Sequence, residues 1–119
     1  AIWIQGDNAE LRQVFVNLLH NAMHAMKEGG AINIGIETSN ASVVVIRVSD
    51  TGVGIPPENL SRIFLPFFSR RADGQAGMGL GLAVCKSIVD RCGGTIAVMS
   101  EMGKNTVFTI TLPLALGIS

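Results

Sequence analysis

The run Asp50-Thr51-Gly52-Val53-Gly54-Ile55-Pro56 constrains this chain more than any other stretch. It places a lone carboxylate at the end of an apolar, β-branched segment, on a turn with two glycines. Without a Cβ, a glycine backbone can approach another surface closely or turn sharply. A second glycine cluster, Gly77-Met78-Gly79-Leu80-Gly81-Leu82, opens a predicted helix. Backbone N–H groups at a helix start, with the helix dipole, attract anions. The first arrangement suits a flat, hydrogen-bonding heterocycle and the second a polyphosphate, so together they point to a nucleotide pocket. The cluster follows an irregular loop rather than a strand, which disfavours a dinucleotide turn, and Walker-loop spacing is absent. Each motif alone also has a plainer reading, Asp-x-Gly as a structural turn and Gly-x-Gly-x-Gly as a hinge.

Residues 2–5 read as a short strand, after which Asp7 can cap a helix with Glu10 three residues on. Over 8–27 the apolar residues Leu11, Val14, Phe15, Leu18, Leu19, Ala22, Met23 and Met26 follow a helical period, and Gly29-Gly30 ends it. Residues 31–38 and 43–49 are β-branched runs joined by Ser39-Asn40-Ala41-Ser42, a predicted hairpin. The continuous run Val43–Ile46 predicts a strand buried on both faces. Pro56-Pro57 breaks the pattern, and a short helix is expected over 58–63. The polar, glycine-bearing stretch that follows has no periodicity; irregular loops of that length in small domains are usually functional, and a lid is expected over about 58–78. A second helix is predicted over 79–91 with Leu80, Val84, Ile88 and Cys92 on one face, closed by Gly93-Gly94. Strands over 95–100 and 106–113 complete an α+β, two-layer sandwich, a mixed sheet with helices on one face.

At 119 residues the chain has room for one domain spanning 1–119 and one core. Its formal net charge of zero provides no overall basic field for nucleic acid. No apolar run approaches a membrane span, no signal or lipidation motif is visible, and no heptad pattern supports a coiled coil. Opening at Ala1 inside strand-like sequence, the chain reads as a domain excised from a longer protein. Cys85 and Cys92 lie two helical turns apart, about 10 Å, which is too far for a disulfide; they read as buried thiols in a reducing compartment.

Gln13, Asn17, Asn21 and His24 stand at i, i+4, i+8 and i+11, one polar stripe along the first helix. Such stripes are ordinarily solvated faces. This one is bordered by apolar residues and lacks the Lys and Glu of an exposed face. Amide oxygens are hard, neutral ligands suited to a magnesium ion carried by phosphates. At the pocket end His24 is a candidate phosphate contact, whereas His20 reads as packing elsewhere. Arg70 and Arg71 either reach phosphate or keep the loop soluble. Asp50 offers an acceptor to an exocyclic amino group such as adenine's, with Gly52 and Gly54 allowing close approach and Val53 and Ile55 giving apolar contact.

These blocks, in this order, resemble the ATP-binding catalytic domain of bacterial sensor histidine kinases, within the wider gyrase, chaperone, kinase and mismatch-repair ATPase superfamily. Residues 11–25, LRQVFVNLLHNAMHA, look like its N box. Residues 50–56, DTGVGIP, look like the first glycine box, and 63–69, IFLPFFS, like the F box. Residues 77–82 look like the second glycine box, and SEMGKNTVFTITLP is similar to the closing strands. The resemblance covers almost the whole chain and implies the Bergerat-type ATP-binding fold.

By that resemblance Asn21 binds magnesium with Asn17 in support, Asp50 binds the adenine amino group, and Gly54 adjoins the ring. Gly77, Gly79 and Gly81, with Met78, Leu80 and Leu82 between and after them, hold the phosphates under a mobile lid. Thr106 lines the adenine pocket, and Phe64, Phe67 and Phe68 anchor the lid hinge. Hydrolytic relatives carry a water-activating glutamate where this chain has Asn17, and an amide is a poor general base, which favours a kinase over a hydrolase. Two positions depart from the family pattern. Asn105 replaces a glycine near the end, and Arg71 replaces a lysine after the F box.

The resemblance therefore implies a protein-histidine kinase domain using ATP and Mg2+. Its partners would be a separate phosphoacceptor and dimerisation domain, since the acceptor histidine is absent here, and a response regulator downstream. Neither nucleic acid nor direct membrane contact is expected of this domain, and its location would be cytoplasmic, with any membrane anchor elsewhere in the parent. An anti-sigma-factor-type serine kinase and a non-catalytic ATP-gated interaction module are the alternatives.

Overall fold

A computed structural model describes residues 8–26, 28–39, 42–65 and 81–113. The expected strand at 2–5, Asp7, and most of the expected lid, with Phe67, Phe68, Arg70, Arg71, Gly77, Met78, Gly79 and Leu80, lie outside the described residues.

The elements run α1 (Asn8–Ala25), β1 (Ile32–Ser39), β2 (Val43–Asp50), a 3-10 turn (Pro57–Asn59), α2 (Gly81–Arg91), β3 (Thr95–Glu101) and β4 (Asn105–Pro113). The strands form one sheet in the order β1-β2-β4-β3, and each neighbouring pair is antiparallel. This is the expected α+β sandwich.

The core follows from two periodicities. On α1, Val14, Leu18, Ala22 and Ala25 are buried at helical spacing. On the central strands, alternate residues turn inward and pair directly: Val44 with Leu112, Ile46 with Ile110, and Val48 with Phe108. Ile96 of β3 extends this layer, and both helices contribute to a single cluster.

The expected burial of β2 and of α2 is corrected. β2 is buried on one face only, with Val43 and Val45 half-covered and Arg47 exposed in an ion pair with Glu37. A run of valines satisfies both a doubly covered strand and a singly covered one, so composition does not discriminate between them. On α2 the buried residues are Cys85, Ile88 and Val89, with Cys92 packed beside them, while Val84 is exposed. The helix offers two adjacent apolar stripes, and packing against α1 selects the one centred between Cys85 and Val89.

The expected helix at 58–63 is instead a 3-10 turn followed by further tight turns. Asn59 N–H donates to Pro56 C=O, Leu60 to Pro57, Arg62 to Asn59 and Leu65 to Arg62. Pro56 stands at the N-cap and Pro57 in the first position of the turn, where a missing N–H breaks no helical hydrogen bond. The segment is nonetheless anchored, since Ile63 is fully buried and Phe64 meets Phe108 edge-on, with ring centroids 6.3 Å apart.

The glycine pair after α2 closes that helix as predicted. Gly93 has φ +78°, Gly94 N–H donates to Val89 C=O and Gly93 N–H to Asp90 C=O, the pair of bonds of a Schellman cap.

Candidate functional site

The inward ladder of β2 and β4 is apolar for three rungs and polar at the fourth. There Asp50 pairs with Thr106, and in the same row Thr106 pairs with Ser100 of β3. Asp50 is 3% exposed and Thr106 is fully buried, the two buried polar side chains among the described residues. A buried carboxylate is costly unless hydrogen-bonded. Asp50 Oδ1 accepts from Gly52 N–H at 2.9 Å, an Asx turn that starts the glycine loop.

That loop is clamped by its neighbours. Thr51 exchanges two hydrogen bonds with Ala31, its N–H reaching Ala31 C=O at 3.2 Å and its hydroxyl accepting Ala31 N–H at 2.9 Å. Val53 N–H donates to Ala25 C=O, the last residue of α1, and Val53 C=O accepts from Gly103 N–H in the β3–β4 turn. Ile55 N–H donates to Ser100 Oγ at 2.7 Å.

The two glycines are required by the protein itself. A Cβ on Gly52 would lie 2.5 Å from Ala25 O, and one on Gly54 would lie 2.6 Å from Glu101 O, where φ is already +80°. The Ile55 side chain is buried in the core, whereas Val53 is exposed. Of the two apolar contacts expected for a ligand, Val53 is therefore the accessible one.

The polar stripe of α1 is graded rather than solvated throughout. Gln13 is exposed and donates to Asn17 Oδ1 at 2.7 Å. Asn17 is half-buried, and its Nδ2 donates to Gly81 C=O at 3.1 Å, tying α1 to the first turn of α2. His24 is exposed, and its Nδ1 is 2.8 Å from His20 C=O, so that nitrogen carries the proton. Asn21 stands between these, and its Nδ2 is buried with no hydrogen-bond partner among the described residues. Such an atom is rare in a folded interior and marks a place where a polar group is missing.

Along α1 these contacts fall in order. Ala25 touches the Asp50 loop, Asn21 carries the unpartnered amide one turn earlier, and Asn17 holds the start of α2 one turn before that. The structure thus ties Gly52, beside the Asp50–Thr106 pair, to the end of α1 and Gly81 to Asn17, with Asn21 between them along the helix. Leu82 packs against the core from α2. Ser100, on which the Ile55 and Thr106 contacts converge, is not among the residues expected from sequence. Its only signal there is strand parity, two residues from Val98 and six from Thr106.

Among the described residues no group of three His, Cys, Asp or Glu side chains is placed to hold a metal, and no helix is long and apolar enough to cross a membrane. Cys85 is fully buried, and burial pushes its thiol up to about 11; Cys92 is half-buried, and both are free.

Over residues 6–116 the chain matches the family described as histidine kinase-, DNA gyrase B- and HSP90-like ATPase. The chain belongs to that family. It is 46% identical over 111 residues to the sensor histidine kinase ZraS of Salmonella typhimurium, covering 93% of this chain and 23% of that protein. It therefore spans about a quarter of the length of the curated relatives it matches. Among solved structures, a mycobacterial sensor histidine kinase, MprB, superposes with a TM-score of 0.82 at 30% identity, over 93% of this chain and 76% of that one. The catalytic domain of histidine kinase ThkA superposes with a TM-score of 0.79 at 33% identity, over 92% and 71%. The fold is thus that of a histidine kinase catalytic domain.

Proposed function

We propose that this chain is the catalytic domain of a protein-histidine kinase. It binds Mg-ATP and donates the γ-phosphoryl group to a histidine on a separate dimerisation domain, ahead of transfer to a response regulator. The observation that carries this reading is the order along α1, which sets the unpartnered Asn21 amide between the Asp50 loop and the first turn of α2. A nucleotide lying along that path would have its base at Asp50 and Thr106 and its phosphates at the α2 N-terminus.

The residues fit a magnesium ion that arrives with the nucleotide. Side-chain amide oxygen and nitrogen exchange places on a half-turn, so the Asn21 amide can present either atom at the unpartnered position. Asn21 would hold the ion, which when bound neutralises charge on the phosphates. Asn17 would act indirectly, keeping the α2 N-terminus where its N–H groups meet anionic oxygens. Asp50 would accept from the adenine amino group through its second oxygen, and His24 and Arg71 would approach the phosphates.

In the transfer itself, an imidazole nitrogen attacks the γ-phosphorus in line, the bond to the β–γ bridging oxygen breaks, and ADP leaves. Catalysis is then mostly positioning and charge neutralisation. The attacking nitrogen of a neutral imidazole bears no proton, so it needs no base to remove one, whereas the oxygen of water or a serine hydroxyl does. The only carboxylate of α1 is Glu10, ion-paired with Arg91, and the stripe beside Asn21 holds amides. This supports a histidine acceptor over the serine kinase alternative.

The test is to mix the chain with γ-labelled Mg-ATP and a purified acceptor domain. Label transferred to the acceptor and lost in acid marks a phosphorus–nitrogen bond and supports the proposal. Acid-stable label points to a serine kinase, and ATP binding without transfer points to a nucleotide-gated module.

A further inference from the structure

Ser100 Oγ has three polar neighbours: Ile55 N–H at 2.7 Å, Asn105 C=O at 2.8 Å and Thr106 Oγ1 at 2.9 Å. A hydroxyl has one proton and two lone pairs. The amide of Ile55 can only donate, and the carbonyl of Asn105 can only accept. Ser100 therefore gives its proton to Asn105 and one lone pair to Ile55, leaving a single lone pair for Thr106. All three contacts are satisfied together only when Thr106 donates to Ser100. Any other group that meets Thr106 Oγ1 then meets a lone pair.

Thr106 lies directly opposite Asp50 across β2 and β4, so both side chains share one face. Asp50 as a carboxylate is acceptor-only as well. We infer that Ser100 is a positioning residue that sets the purine preference of the site, holding the Thr106 hydroxyl in its accepting orientation so that the Asp50–Thr106 pair takes a 6-amino and rejects a 6-oxo purine. This rests on the nucleotide reading above and extends it to a residue that touches no ligand.

The experiment compares ATP with inosine triphosphate, which carries a carbonyl in place of the 6-amino group. Affinities are measured by calorimetry with magnesium for the unaltered chain, Ser100→Ala and Ser100→Thr, with melting curves alongside. Ser100→Ala removes the acceptor that orients the Thr106 hydroxyl, and the ratio of ATP to inosine triphosphate affinity should fall by about tenfold, roughly one hydrogen bond's worth of discrimination. Ser100→Thr keeps the hydroxyl and should keep the ratio, which also controls for folding. If Ser100→Ala weakens both nucleotides equally, or leaves the ratio unmoved, Ser100 is merely structural and the inference is overturned while the nucleotide reading stands. If the unaltered chain binds no ATP, the nucleotide reading itself fails, and this inference with it.

Discussion

Asp50 and Thr106 face each other across the two central strands at the point where the inward ladder changes from apolar to polar. The next rung is Val48 against Phe108, fully apolar, so the carboxylate sits at the rim of a dry layer. In such surroundings a hydrogen bond is electrostatically stronger than in water, and an unmade one is correspondingly expensive. One carboxylate oxygen is engaged by Gly52 N–H, which fixes the direction of the other.

Asp50→Asn should separate recognition from folding. The amide oxygen can still accept from Gly52 N–H, so the turn survives. The charge is lost, and an NH2 donor replaces the acceptor proposed for the adenine amino group. Hydrogen bonds to charged groups contribute about 1.5–3 kcal/mol, so ATP affinity should fall roughly 10- to 100-fold. Calorimetry and a melting curve check this together; a melting point that collapses while affinity per folded molecule holds would assign Asp50 to structure alone.

Asn21→Ala addresses the unpartnered amide. Removing a side chain whose buried Nδ2 has no partner among the described residues should leave the stability of the free protein unchanged or slightly raised. Nucleotide affinity should drop in magnesium and change little in EDTA, because the variant removes the side chain proposed to hold the metal. Equal losses in both buffers would remove Asn21 from the metal's surroundings.

How much of the fold and site is legible in the sequence depends on the kind of signal. The α1 stripe and the Gly93-Gly94 cap can be read from spacing, because a helical period and a helix-ending glycine pair act within a few residues. Which stripe of α2 is buried, and that β2 is covered on one face only, depend on partners distant in sequence. Both Cys85 and Val84 are apolar, and only the crossing with α1 distinguishes them. Asp50 stands out because a carboxylate after a β-branched run breaks a pattern. Ser100 does not, since a serine in a strand breaks none, and its role comes from Ile55 and Thr106, brought to it by the glycine loop and the β3–β4 pairing.

Gly54→Ala and Gly103→Ala form a matched pair. Both glycines have φ near +80°, which costs an alanine about 1–2 kcal/mol. At Gly103 a Cβ would meet nothing within 4 Å, whereas at Gly54 it would lie 2.6 Å from Glu101 O and 2.9 Å from Met102 Cα. Gly54→Ala should therefore destabilise clearly more than Gly103→Ala, with a further loss on the order of 1–3 kcal/mol from the clash. Denaturant titration of the two variants gives the difference directly, and equal midpoints would show that the loop yields without strain.

Cys85 predicts how the fold responds to alkali. Burial raises its thiol from 9.0 to about 11, and Asn17 and its own backbone offset only part of that rise. In the unfolded chain the thiol ionises near its ordinary value, so above pH 9 the unfolded state releases a proton that the folded state retains. Stability is therefore full below about pH 9 and declines as pH rises toward 11, by up to roughly 2–3 kcal/mol, at about 1.4 kcal/mol for each pH unit. The chain has no tyrosine to titrate in the same window. Urea midpoints between pH 8 and 11 should fall for the unaltered chain and fall less for Cys85→Ala, whose cavity lowers stability at every pH but leaves no thiol to ionise. In the same range a maleimide should label Cys92 in the native protein and reach Cys85 only under denaturing conditions; rapid native labelling of Cys85 would mean that the helix pair opens far more readily than its packing allows.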